Sequence, residues 1–323
     1  MFFSRLNLAV SDLPDALGAE VTGYVESDFF GPNDDAVSTF RLRRAFVDLT
    51  WDNRSVLFGQ EWSPLFTLAA FPQTIATTTG APFQPFARHP QIRFTYAPGR
   101  LQFTGVAAWQ RDAFADIPFD GTPGFQQQQR AALPGWHGHV QYHAGDRAMV
   151  GGGAHLKALQ PEVTGDRFYT GAVQGYGTVM TSVVDLRLKA TYGATLTDHL
   201  MTGGYVFSAE TGDFHPLNLL SGWVDLDGHG TVAPGLFAGY LTNQGSADPV
   251  GEDVTEATRA PDIDVLWRVA PRLTLNYDAL QFAFELEVTS AQYAERLDAD
   301  FAPAGSTEAV TNVRGNVTVF LHF

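Results

Sequence analysis

The sequence predicts an all-β protein, a transmembrane antiparallel β-barrel of about sixteen strands with one constriction loop folded inward. Three observations lead to this prediction. Apolar and polar side chains alternate with a period of two, and short connections alternate with long ones along the chain. No apolar stretch reaches the roughly 18–20 residues that a membrane-spanning helix needs. We expect residues 1–323 to form a single barrel domain.

Composition narrows the classes of protein. The chain has 323 residues, a formal net charge of −15 and no cysteine, which excludes a disulfide scaffold, thiolate metal sites and cysteine nucleophiles. The acidic balance argues against nucleic acid as a partner. Aromatic residues make up 13% of the chain, and a mean hydropathy of −0.08 fits strands that have one apolar and one polar face.

The alternation is clearest at the C-terminal end. There Val313, Val317 and Leu321 alternate with Arg314 and Thr318. A barrel turns the first set toward lipid, whereas a water-soluble β-sandwich buries it in a core, so a soluble all-β carbohydrate-binding protein stays an alternative. The same period recurs in segments 92–96, 101–109, 136–143, 182–192 and 282–288.

The lengths of the connections favour the barrel. Short turns are predicted at residues 52–54, 97–100, 144–147, 193–198 and 278–279. Long loops are predicted at residues 63–90, 110–135, 158–179, 243–260 and 292–309. Tight periplasmic turns that alternate with long external loops are typical of outer-membrane barrels.

About fifteen strands can be counted, from Phe2–Val10 to Asn312–Phe323. Bacterial barrels of this kind have an even number of strands. We therefore expect one further strand, and the signal peptide of an exported protein, to precede Met1.

Several blocks of sequence resemble the DcaP-like porins of Gram-negative bacteria. They are Gly23–Gly31 (GYVESDFFG), Phe40–Phe46 (FRLRRAF), Leu57–Ser63 (LFGQEWS) and the segment from Pro271 to Glu287. The terminal Phe323, with apolar residues at every second position before it, is similar to the signal that the barrel-insertion machinery reads.

The resemblance implies a trimeric, sixteen-stranded porin in the cell outer membrane. It also implies a loop folded into the channel and a preference for small anionic solutes such as dicarboxylates. The expected partners are outer-membrane lipid and lipopolysaccharide, small anionic solutes and two further copies of the chain.

Arg41 and Arg43 share one face of a strand, opposite Phe40 and Leu42. An arginine that faces lipid costs about 2–4 kcal/mol at the bilayer midplane, so both side chains should face the lumen. Two guanidinium groups about 7 Å apart along a strand form a ladder for carboxylate or phosphate groups. Arg44 breaks the alternation and predicts a bulge or a change of register.

The same parity places further charged and polar residues on the channel wall. They are Arg93, Arg187, Lys189, Arg314, Glu26, Asp28, Glu285, Glu287, His137 and His139. Two interpretations remain open. The basic residues form a stripe that concentrates anions, or the arginines pair with the neighbouring carboxylates and stiffen the wall.

The loop at 63–90 contains five prolines, little charge and several phenylalanines. A loop of this length is usually functional or disordered, and its apolar content favours packing. We expect it to fold inward as the constriction. A latch that contacts a neighbouring subunit is the alternative.

His137, His139 and His143 lie on one face of a strand, but no carboxylate or thiol completes a set of ligands in the sequence. We therefore expect no metal site and no cofactor. The chain lacks a Gly-x-Ser-x-Gly nucleophile motif, which indicates that it is not an enzyme. The predicted function is passive diffusion of small hydrophilic solutes, and a structural or adhesive barrel with a plugged lumen is the alternative.

Overall fold

The computed structural model describes residues 5–30, 39–110 and 117–321. The start of the predicted first strand at Phe2, Gly31 of the first resemblance block and the terminal Phe323 lie outside the described residues.

The described residues form seventeen β-strands, one α-helix and short 3-10 helices. The strands are β1 (Arg5–Val10), β2 (Glu20–Asp28), β3 (Arg41–Trp51), β4 (Arg54–Trp62), β5 (Arg88–Tyr96), β6 (Leu101–Ala108), β7 (Gly135–His143), β8 (Ala148–Leu159), β9 (Phe168–Met180), β10 (Val184–Ala194), β11 (Gly203–Ser208), β12 (Phe214–Gly228), β13 (Val232–Gly245), β14 (Val254–Arg259), β15 (Ile263–Tyr277), β16 (Leu280–Leu297) and β17 (Pro303–Leu321). The helix α1 spans Gly124–Ala131. Among the described residues, no helix is both long and apolar enough to cross a membrane.

Fifteen of the described strands form the wall. Strands β1 to β10 pair in sequence, followed by β12, β13, β15, β16 and β17, and every pair is antiparallel. The two short strands β11 and β14 pair with each other at the end of the wall, and β11 also pairs with β12. This confirms the predicted antiparallel all-β fold. A strand before Met1 stays a prediction.

The two faces of the wall differ as the alternation predicts. On β5, the exposed fractions of Ile92 and Phe94 are 53% and 46%, whereas Gln91 is buried. On β17, Val317 and Leu321 are 72% and 62% exposed. These apolar side chains have no protein core to cover them, which excludes the soluble β-sandwich and fits an outer surface solvated by lipid.

Aromatic side chains mark both ends of this apolar surface. Trp51, Tyr96, Tyr142 and Tyr277 lie beside the short turns, and Trp109, Trp136, Tyr169 and Tyr293 lie toward the long loops. Two such girdles are typical of barrels at the two membrane interfaces. We call these ends the short-turn end and the long-loop end.

Four of the five predicted short turns are confirmed, between β3 and β4, β5 and β6, β7 and β8, and β15 and β16. The turn predicted at 193–198 is wrong. The chain turns instead at residues 181–183, where the Thr181 hydroxyl receives hydrogen bonds from the backbone of Val183 and Val184. That turn contains neither glycine nor proline, so it lacks the residues that usually identify a turn in a sequence.

Two predicted long loops are shorter in the structure. The loop at 158–179 shrinks to residues 160–167 because β9 begins at Phe168, and the loop at 292–309 shrinks to residues 298–302. On β9, glycines occupy outward positions between the exposed Tyr169, Val173 and Val179, so the apolar face is interrupted. The end of β16 carries polar residues on both faces, so the alternation that identifies a strand is absent there.

The predicted irregularity near Arg44 is confirmed. Glu26 pairs with Arg44 while the next residue, Ser27, pairs with Leu42, so Arg43 is the extra residue of a bulge. The bulge brings Arg41, Arg43 and Arg44 close to the carboxylates of β2 and β4.

Candidate channel and its constriction

The connection between β4 and β5 folds into the barrel, which confirms the predicted constriction loop. It spans residues 63–87 and not 63–90, because Arg88 to Pro90 already belong to β5. It opens with a 3-10 helix at Pro64–Phe66, which is capped by the Ser63 hydroxyl and completely buried. A latch onto a neighbouring subunit would leave these residues exposed in a single chain.

The loop is held by hydrogen bonds to side chains of the wall. Glu285 on β16 receives the amides of Ile75 and Ala76, each at 2.9 Å, and Asp225 on β12 receives the amide of Gln73 at 3.0 Å. Lys189 on β10 donates to the carbonyl of Leu65. Further wall donors are Gln174, Ser221, Trp223 and Arg268.

Apolar packing reinforces these bonds. Leu65 and Phe83 of the loop are buried against Trp223, Phe237 and Leu241 of the wall. We call the wall from β9 to β16, which carries these contacts, the loop side.

A second segment also folds inward. Residues 195–202, between β10 and β11, form a buried 3-10 helix at Thr197–His199, and Leu196 and Met201 join the same apolar cluster. The Phe86 amide donates to the carbonyl of His199 at 2.9 Å, so the end of the constriction loop contacts this segment directly. The sequence analysis missed it because a short turn was predicted there.

Opposite the loop side, β2, β3 and β4 carry a network of ion pairs. Arg43 lies 2.6 Å from Glu26 and 2.8 Å from Asp28, and Arg41 pairs with Asp28 through two hydrogen bonds. Arg44 pairs with Glu61. Three guanidinium groups thus face three carboxylates, and the wall-stiffening interpretation describes these arginines better than a ladder of free cations.

The other predicted wall charges also have partners. Arg187 pairs with Asp185 at 2.9 Å, and Arg314 pairs with Glu287, which also lies 3.4 Å from Arg268. The side chains of Lys189 and Glu285 are buried against the constriction loop. The structure therefore brings Glu26, Asp28, Arg41 and Arg43 together and joins Arg314 to Glu287, whereas Arg93, Arg187, Lys189 and Glu285 have partners outside the predicted set.

Arg93 differs from these residues. Its guanidinium donates to the Trp62 carbonyl at 2.7 Å and to the Gln91 side chain, and within the described residues it forms no ion pair with a carboxylate. It lines a cavity of about 290 Å³ between the loop and the wall strands β5 to β9. The cavity is also lined by Gln102, Thr104, His139, Gln141, His143, Tyr176 and residues of the loop. Arg93 is thus a cation in a polar cavity whose hydrogen-bond partners are neutral oxygens.

The sequence analysis overlooked one strong ion pair. Arg272 on β15 contacts Asp225 at 2.7 Å and Asp227 at 2.8 Å, and its side chain is almost completely buried. Arg268 and Arg272 are four residues apart on one strand and therefore lie on the same face. This spacing could have identified both as residues of the inner face.

His137 and His139 are buried, as is His155 on the neighbouring strand. The rings of His137 and His155 stack with centroids 4.2 Å apart, and the centroids of His155 and His199 are 6.2 Å apart. Burial, with smaller contributions from the nearby His89 and Lys157, lowers the pKa of His199 to about 3, so this imidazole is neutral near pH 7. His143 lies nearer the short-turn end and lines the Arg93 cavity.

This architecture is similar to that of several solved outer-membrane proteins. The outer membrane channel DcaP of Acinetobacter baumannii superposes with a TM-score of 0.73 at 15% identity, covering 98% of this chain and 84% of that one. The fold of this chain is therefore similar to the β-barrel of that channel. An anion-selective porin from Comamonas acidovorans gives a TM-score of 0.58 at 14% identity, covering 98% of this chain and 89% of that one.

A third similar structure is OmpF of Salmonella typhi in complex with daunomycin. Its TM-score is 0.54 at 10% identity, with 98% of this chain and 96% of that one covered. No family model and no curated protein matches the sequence. At these identities the likeness establishes the barrel fold, and the function must be argued from the channel itself.

Proposed function

We propose that this protein is an outer-membrane porin, a passive diffusion channel for small hydrophilic solutes. The observation that carries this proposal is a wall that is apolar outside and polar inside, with an inward loop that narrows the lumen. Such a wall needs a bilayer around it and an aqueous space within it. The proposal requires no chemical step.

We infer a preference for small anions such as dicarboxylates, and Arg93 is the residue that supports it. Charge that a carboxylate does not compensate acts on ions in a narrow lumen, whereas closely paired charges largely cancel. The anion selectivity named for the Comamonas porin is consistent with this inference. Carboxylates pair with the other predicted arginines and largely cancel their effect on ions in the lumen. These arginines are Arg41, Arg43, Arg187 and Arg314.

Assembly as a homotrimer and contact with outer-membrane lipid and lipopolysaccharide complete the proposal. One structural neighbour, OmpT of Vibrio cholerae, is described in a trimer form. The exposed apolar side chains of the wall supply the surface that lipid or a neighbouring subunit would cover. Cross-linking in a mild detergent would test the trimer.

The reversal potential in planar bilayers under a potassium chloride gradient tests the channel and its selectivity together. We expect stable conductance steps and a reversal potential whose sign indicates that chloride is more permeant than potassium. A dicarboxylate added to the bath should reduce the chloride current. Arg93→Ala should shift the reversal potential toward cations, and Arg100→Ala in an exposed turn is the matched control.

Two outcomes would separate the parts of the proposal. An unchanged reversal potential in Arg93→Ala would remove the anion site while leaving the channel. Absence of conductance would favour a structural barrel with a plugged lumen, an alternative supported by the apolar packing of the constriction loop and residues 195–202.

A further inference from the structure

A group of potential metal ligands lies at the long-loop end of the lumen. His89 is the second residue of β5, and Asp198 and His199 belong to the inward 3-10 helix between β10 and β11. One donor atom from each of the three residues lies within 4.8 Å of the other two, and all three residues are buried. The sequence places His89 and Asp198 more than a hundred residues apart, so only the fold brings them together.

We propose that His89, Asp198 and His199 form a binding site for one divalent transition-metal ion of the Zn²⁺ class. Two imidazoles and a carboxylate are a common set of protein ligands for zinc, and a fourth position can be filled by water or by a nearby imidazole. Ligand atoms around tetrahedral zinc are about 3.3 Å apart, so binding of the ion would draw the three donors together from distances of up to 4.8 Å. The site is distinct from the Arg93 cavity and does not depend on the proposed channel function.

The hydrogen bonding of the surrounding histidines supports this assignment. In the part of the chain that the structure describes, neither ring nitrogen of His199 has a hydrogen-bond partner, and the same is true of His155 and His137. Each of these residues is less than a tenth exposed. A buried polar atom without a partner is energetically unfavourable, and a bound ion would satisfy one of the two ring nitrogens of His199.

The charges of Lys157 and Asp198 beside the proposed site are compatible with a bound cation. Lys157 Nζ lies 2.9 Å from Asp198 Oδ2, and this pair is buried. The other carboxylate oxygen, Oδ1, is buried and has no hydrogen-bond partner among the described residues. Asp198 Oδ2 also lies 3.9 Å from His199 Nε2. Asp198 therefore offers the ion either Oδ1 or an Oδ2 that is shared with Lys157. Lys157 and the bound ion then share one carboxylate, which will weaken binding relative to an isolated set of ligands.

The ion would have a structural effect. His89 follows the constriction loop, and His199 lies in the segment that receives the Phe86 amide. A metal bound to both would join the end of the loop to residues 195–202. His155, whose ring centroid is 6.2 Å from that of His199, is the nearest candidate for a fourth ligand or for a supporting contact.

The test uses the full chain in detergent, stripped of metal by a chelator and then titrated with Zn²⁺ in competition with a chromophoric chelator. We expect one ion per chain, no comparable binding of Mg²⁺, which prefers oxygen ligands, and visible absorption of a four-coordinate site when Co²⁺ replaces Zn²⁺. His89→Gln and His199→Gln should abolish stoichiometric binding, and His155→Gln should weaken it roughly tenfold.

Exposed His229→Gln is the matched control and should bind as the unmodified protein does. The folded state of each variant is checked by the heat-dependent mobility of the barrel in gel electrophoresis. Absence of stoichiometric Zn²⁺ in the folded unmodified protein would overturn the proposal and leave a neutral histidine cluster around a Lys157–Asp198 pair. Unchanged Zn²⁺ affinity in folded His89→Gln and His199→Gln would overturn it as well.

Discussion

The two sides of the lumen use charge differently. On the loop side, from β9 to β16, Glu285, Asp225 and Lys189 bind the backbone of the constriction loop. On the opposite side, which we call the arginine side and which runs from β2 to β7, Arg41, Arg43 and Arg44 bind carboxylates of neighbouring strands. Arg93 is the exception there, because its partners are neutral oxygens.

This difference shows that the position of a charge on the inner face does not by itself determine its role. A charge on the loop side that binds the backbone of the constriction loop decides where the lumen narrows. A paired arginine on the arginine side decides how firmly adjacent strands are joined. A cation that lacks a carboxylate is the one whose field reaches a solute.

The largest expected effect is on the arginine side. Arg43→Ala leaves Glu26 and Asp28 buried with fewer positive partners, and loss of one member of a buried ion network costs about 3–5 kcal/mol. We expect a decrease of that size in the free energy of unfolding, measured by urea titration in detergent. Arg100→Ala, in an exposed turn, should cost little, and equal stability of the two variants would show that the network does not stabilise the wall.

An intermediate effect is expected on the loop side. Glu285→Gln removes the charge that receives two loop amides, and hydrogen bonds to a charged group contribute about 1.5–3 kcal/mol. The loop should become more mobile, which single-channel recordings would show as larger current fluctuations and limited proteolysis as faster cleavage between residues 70 and 80. Glu308→Gln, at an exposed position on β17, is the control. Identical current noise in both variants would mean that apolar packing alone holds the loop.

The smallest effect is expected for Arg314. Its side chain is 52% exposed, and its partner Glu287 keeps Arg268 at 3.4 Å when Arg314 is removed. Exposed ion pairs contribute about 0–1 kcal/mol, so Arg314→Ala should lower the unfolding free energy no more than Arg296→Ala does at another exposed position. A loss as large as that of Arg43→Ala would contradict the distinction between buried and exposed pairs.

The sequence was most informative where one face of a strand touches lipid. Ile92, Phe94 and Val317 identify their strands because the membrane requires an apolar residue at every second position. It was less informative on β9, where glycines interrupt the apolar face, and at the end of β16, where both faces are polar. It failed at the turn of residues 181–183, which a threonine hydroxyl stabilises without glycine or proline.

Parity placed Arg41, Arg43, Glu26 and Asp28 on the inner face, but it could not choose between a free basic stripe and a paired network. That choice depends on the bulge at Arg43 and on the register between β2 and β3, which set the distance from each guanidinium to a carboxylate. The same limit applies to His89, Asp198 and His199, which are brought together because residues 195–202 fold inward against the start of β5 and the end of the constriction loop.

The amino-acid sequence by itself determined the class of the protein, because the contrast between lipid and water acts on every second residue of each strand. It also indicated the inward constriction loop, because a long apolar loop needs a surface to pack against. Only the tertiary structure decided which charges are paired, which hold the loop and which face open space. Those distinctions rest on distances of a few ångströms between strands that are far apart in the chain, and local sequence patterns do not specify them.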